Sequence, residues 1–146
     1  MSTEDNKATV RRLIEEVWNQ GNLAVFDELY APNFIFHDPN LPRVRTREDD
    51  KRWITETLNA YPDLHMTSED MIAEGDRVVV RLTARGTNTG DIVTPMPRPA
   101  TGKQVTMTGI VIARLANDKF VEIWHQVDWL GVLQQLDLIP APGQAS

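Results

Sequence analysis

The stretch Lys119-Phe120-Val121-Glu122-Ile123-Trp124-His125-Gln126-Val127-Asp128, with Trp129 to Leu136 directly after it, decides how the rest of the chain is read. In a strand, successive side chains point to opposite faces, so Trp124 and Asp128 share one face while Val121, Ile123, His125 and Val127 share the other. After the strand, Trp129, Val132, Leu133 and Leu136 recur at helical spacing, which puts the start of an amphipathic helix at Asp128. A helix-starting Asp is an ordinary N-cap. If its second oxygen faced an apolar cavity beside the Trp124 indole, the same carboxylate would suit general acid/base work. His125 has the opposite parity from Asp128 and reads as a structural or interface histidine.

Working back from that strand, the pattern before it is also β. Gln104 to Leu115 forms a long strand, with a turn at Ala116-Asn117-Asp118. Met66 to Ala73 and Arg77 to Gly86 flank a Glu74-Gly75-Asp76 turn and read as a hairpin. Between the hairpin and the long strand, Thr87 to Lys103 is irregular, with Gly90, Gly102 and prolines at 95, 97 and 99. Such a segment reads as a lid that pivots on its two glycines.

The N-terminal half is helical. Ser2 to Asp5 opens a helix whose stripe Val10, Leu13, Ile14, Val17 and Trp18 ends at Gly21. Asn22 caps a shorter helix carrying Leu23, Phe26 and Tyr30, closed by Pro32. Phe34 to His37 is a short strand. Thr46 and Asp49 then form a capping box for a helix that buries Trp53, Ile54, Thr57, Leu58 and Tyr61 and stops at Pro62. Helices first and strands later give an α+β class, in which a curved antiparallel sheet wraps on the N-terminal helices and forms a cone with an internal pocket. Trp124, Trp53 and Phe36 are candidate wall residues.

The chain of 146 residues is read as one domain over 1–146, with an ordered core at about 3–139 and a frayed tail from Pro140 to Ser146. A net charge of -6 and a pI near 5.0 argue against nucleic-acid or anionic-membrane binding. Without cysteine there are no disulfides, thiolate metal sites or cysteine nucleophiles. The histidines at 37, 65 and 125 have no metal-motif spacing, so neither a metal nor a cofactor is expected. A polar, acidic start without a long apolar run suggests a cytoplasmic protein.

Several short motifs, in this order and spacing, make the chain resemble the SnoaL-like polyketide cyclases, within the nuclear-transport-factor-like cone fold that also holds ketosteroid isomerase. They are His37-Asp38-Pro39, Tyr61-Pro62-Asp63, Ala73-Glu74-Gly75-Asp76, Gly86-Thr87-Asn88-Thr89-Gly90, Pro99-Ala100-Thr101-Gly102-Lys103, Trp124 with Asp128, and Gln135-Leu136. The resemblance implies that Asp128 is the acid/base carboxylate and that His37 stands in the pocket. Asn88 replaces a histidine of the family pattern.

The implied activity is cofactor-independent abstraction of a proton α to a carbonyl. Intramolecular aldol cyclisation of a polyketide-type substrate would follow. His37, Asn88 and the Trp124 indole N–H are candidate donors to the enolate oxygen. A ketosteroid-isomerase-like reaction and a non-catalytic small-molecule binding protein are the alternatives. The expected partners are a small hydrophobic carbonyl compound and a second copy of the chain, paired through the outer face of the sheet.

Overall fold

The computed structural model describes residues 2–143; of the expected frayed tail, residues 144–146 lie outside the described residues. Helix α1 (Thr3–Arg12) starts at a complete capping box, in which Ser2 Oγ accepts from the Asp5 backbone N–H and the Asp5 carboxylate accepts from that of Ser2. It runs into a π-helical segment, Leu13–Asn19, so the apolar stripe continues through Leu13, Ile14, Val17 and Trp18. Gly21, at φ +69°, ends that run in a left-handed conformation that costs glycine little. Helix α2 (Leu23–Leu29) follows, but the Asn22 side chain makes no capping hydrogen bond.

Strand β1 (Tyr30–His37) begins earlier than its apolar core suggests, so Tyr30 belongs to the strand and not to the preceding helix. Helix α3 (Arg47–Ala60) carries the expected Thr46/Asp49 capping box. Strands β2 (His65–Glu74), β3 (Arg77–Thr87), β4 (Gln104–Ala116) and β5 (Lys119–Val127) follow, then α4 (Trp129–Gln135). The β4–β5 turn places Asn117 and Asp118 at φ 53° and 63°, which these residue types tolerate better than most.

The five strands lie in the order β1-β5-β4-β3-β2. Every neighbouring pair is antiparallel except β1 with β5, which are parallel, so the sheet is mixed rather than wholly antiparallel. Parallel neighbours need a long crossover, and here everything from α3 to β4 supplies it. No helix among the described residues is long and apolar enough to cross a membrane.

The inner face of the curved, unclosed sheet takes Val78, Val80, Leu82 and Ala84 from β3, Val111, Ala113 and Leu115 from β4, and Phe120 and Ile123 from β5. Phe120 and Ile123 are three apart in sequence yet both are buried. A register shift makes this possible: Phe120 pairs with Leu115 and Glu122 with Arg114, leaving Val121 as the extra residue of a bulge. The outer face carries one row across all five strands, in which Ile72 pairs with Val79, Val79 with Ile112, Ile112 with Trp124, and Trp124 with His37.

The loop after β3 is pinned at its base rather than hinged there. Asn88 is fully buried; its side-chain amide donates to the Ala60 and Gly90 carbonyls, and its side-chain oxygen accepts from the Thr101 N–H and hydroxyl. Gly90 sits so close to the Asn59 carbonyl that a Cβ would collide with it, while Gly102 has a φ of +71°. Close approach explains one glycine and left-handed backbone the other, so the pivots read from the sequence have another physical cause.

Candidate active site

Between the inner face of the sheet and helices α1 and α3 lies a cavity of about 100 Å³. Its lining is almost wholly apolar, including Val80, Val111, Ile54 and Met66, with a few polar side chains set into it. The clearest of these is His125. The bulge lies N-terminal to Glu122, so alternation holds beyond it: Ile123 and His125 point inward while Glu122 and Trp124 point outward.

His125 is buried, and its Nδ1 hydrogen-bonds the Asp38 carboxylate at 2.8 Å. Asp38 is delivered by the end of β1, where Phe34 and Phe36 face the core and Ile35 and His37 do not. The same carboxylate oxygen accepts from the Trp129 indole N–H at 2.9 Å, and the other accepts from the Asn40 backbone N–H at 2.8 Å. Burial by itself would raise the Asp38 pKa, but the hydrogen bonds from His125, Trp129 and Asn40, with the charge of His125, hold it below the usual carboxylate value. An ionised Asp38 on Nδ1 fixes the tautomer in which Nδ1 carries the proton and Nε2 is left with a lone pair. The ring is held from three sides by Phe36 (5.4 Å between centroids), Trp53 (5.5 Å) and, through Asp38, Trp129.

A second carboxyl group lines the same cavity. Asp50 of α3 is 2% exposed, and it receives a hydrogen bond from the Tyr30 hydroxyl. Burial pushes its pKa up to about 8, against which the Tyr30 bond is a smaller downward effect; the neighbouring Asp49 charge adds to the rise. Tyr61 also lines the cavity, and burial raises its hydroxyl pKa, so it remains a proton donor at neutral pH.

Of the residues singled out in the sequence, Trp53 and Phe36 line the cavity. The others are placed elsewhere. Asp128 caps α4, accepting from the Gly131 N–H at 2.9 Å, and is exposed outside the cavity lining. Trp124 lies on the outer face with its ring stacked on His37 and the Arg77 guanidinium 5.1 Å from its centroid. His37 is half-exposed there and bonds Glu122 at 2.6 Å. Asn88 spends both ends of its amide on the loop backbone. The face was misassigned because both sides of β5 carry apolar residues, so alternation alone does not say which side looks inward.

The residues that reading missed had signals in the sequence. Asp38 follows Phe34 and Phe36 at period two. Asp50 precedes Trp53, Ile54 and Thr57 by three, four and seven residues, which places it on the buried stripe of α3. The other short motifs join elements: Asp63 accepts from the Thr87 N–H and hydroxyl, and Gln135 clamps both backbone groups of Thr106.

An inner cavity, walled by a curved sheet and helices and holding a few buried titratable groups, is the candidate site of this cone-type α+β fold. Residues 8–136 match the family described as SnoaL-like polyketide cyclase, and the chain belongs to that family. Among solved structures it is similar to IdmH from Streptomyces antibioticus, a proposed polyketide cyclase, with 30% identity, coverage of 90% of this chain and 98% of the other, and a TM-score of 0.76. A proposed polyketide cyclase from Acidithiobacillus ferrooxidans shares 29% identity over 94% and 99% of the two chains, with a TM-score of 0.79. TsrD from Streptomyces laurentii, at 24% identity over 95% and 99%, has a TM-score of 0.83 and shows likeness of fold alone. No curated protein matches the chain.

Proposed function

We propose that this protein catalyses proton transfer at a carbon α to a carbonyl, leading to intramolecular aldol cyclisation of a polyketide-type substrate, with His125 as the acid/base and Asp38 as its positioning partner. The observation that carries this reading is the buried His125–Asp38 pair opening on an apolar cavity. The Nε2 lone pair of neutral His125 takes the α proton, and the C–H electron pair becomes the enolate. Tyr61, which lines the same cavity, serves as a donor to the enolate oxygen. The enolate carbon then attacks a second carbonyl of the same molecule, forming the carbon–carbon bond, and the resulting alkoxide takes the proton back from His125. Asp38, ionised throughout, stabilises the imidazolium between the two steps. The membership of the family and the likeness to IdmH support the cyclase class.

The test is turnover of a linear polyketide-type diketone by His125→Gln, which keeps a polar side chain but lacks the base. Loss of activity with binding retained supports the reading. Unchanged turnover overturns it, and binding without turnover by the unsubstituted protein favours a binding module instead.

The outer face of the sheet fits self-association, because Ile72 (67% exposed) and Ile110 (50%) leave apolar surface uncovered. A homodimer through this face is expected in light scattering, and Ile110→Lys should yield a monomer.

A further inference from the structure

The proton-transfer scheme uses one end of the cavity and leaves Asp50 and Tyr30 without a task. Tyr30 is in register with Phe120 at the start of β5, while His125 stands near its end. Asp50 precedes Trp53, whose ring touches His125, by about one helical turn, roughly 5 Å along α3. The two polar points therefore belong to different parts of one apolar enclosure.

One carboxyl oxygen of Asp50, Oδ1, has no hydrogen-bond partner although the residue is 2% exposed and lines the cavity. An unsatisfied buried polar atom is destabilising, and an apolar residue on this stripe would avoid that cost. Thr57, the next polar residue on the stripe, also lines the cavity, but its hydroxyl donates back to the Trp53 carbonyl. Asp50 has no such local outlet. Because burial keeps it protonated at neutral pH, it can both donate and accept.

We propose that Asp50, oriented by Tyr30, is a specificity-determining subsite whose free carboxyl oxygen hydrogen-bonds a hydroxyl or carbonyl group that the ligand carries away from its reacting carbon. This rests on the reading of the cavity as the substrate site, and it specifies the substrate class further: an oxygenated, not a purely hydrocarbon, skeleton beyond the reacting carbonyl. A site built to satisfy such a group discriminates strongly against an analogue that lacks it.

The experiment compares binding of 6-hydroxy-1-tetralone and 1-tetralone by calorimetry, with infrared difference spectra of the protonated Asp50 carboxyl, identified by its loss in Asp50→Asn. The protein is expected to bind the hydroxylated ketone about tenfold more tightly and to shift the carboxyl band only with that ketone. Asp50→Leu should remove the preference while binding 1-tetralone at least as well, and Asp50→Asn should keep part of it. If Asp50→Leu retains the full preference, or the carboxyl band does not move in the unsubstituted protein, the subsite is overturned and the proton-transfer reading stands. If neither ketone binds, both are overturned.

Discussion

Asp38 and Asp50 are both almost wholly buried, both line or adjoin one cavity, and burial pushes both toward the neutral form, yet they end on opposite sides of their ordinary pKa. Asp38 accepts from His125, Trp129 and the Asn40 backbone, and stays below the ordinary value. Asp50 has Tyr30 alone, keeps one oxygen unpartnered, and rises to about 8. Its place in the first turn of α3 favours the anion by only about 0.3–1 kcal/mol, too little to reverse the desolvation. The number of donors decides the protonation state. One fold thereby holds an anion for orienting a base and a neutral acid for meeting a ligand.

Breaking the first half of this contrast should have the largest effect. Asp38→Asn keeps the shape but no longer stabilises imidazolium or fixes the His125 tautomer, and should lower kcat on a cyclisable diketone by about 10²–10⁴-fold. Steady-state kinetics check this; a loss confined to KM would mean that Asp38 acts in binding alone.

The second half is read in stability against pH. Between the ordinary carboxylate value near 4 and the folded value of about 8, the unfolded chain has released the Asp50 proton while the native chain holds it, so stability falls as pH rises through that window. The decline is on the order of 5 kcal/mol, at about 1.4 kcal/mol per pKa unit. Asp50→Asn should flatten it in urea titrations from pH 4 to pH 8. Asp38 works in the other direction: its depressed pKa gives stability present above the ordinary value and lost as the pH falls toward its folded value.

Gly90→Ala tests the loop base that closes beside the cavity. The added Cβ meets the Asn59 carbonyl, so a loss of about 1–3 kcal/mol is expected in thermal unfolding, as for other overpacked sites. The smallest effect belongs to Asp128. Asp128→Asn keeps a capping acceptor outside the cavity, and should change turnover less than about twofold and stability by less than about 0.5 kcal/mol. A large loss of turnover would return the acid/base role to Asp128 and dissolve the contrast between the two buried carboxylates.

Local signals in the sequence carried most of the fold. The Ser2/Asp5 and Thr46/Asp49 boxes, the Gly75 and Asn117-Asp118 turns and the cap at Asp128 are interactions among near neighbours, and each stands where the chain announces it. Trp53 and Phe36 were legible as cavity wall because their stripes are apolar. What the sequence determined alone is thus the order of helices and strands, most of their ends and the parity of β5 beyond the bulge at Val121. Tertiary structure decided which face of β5 looks inward, because Trp124 is satisfied on the outside by His37 and Arg77 and His125 is satisfied on the inside by Asp38, a partner 87 positions away. It also decided the parallel pairing of β1 with β5 and the protonation of Asp50, since pairing and desolvation depend on groups that meet only when the sheet curls over α3.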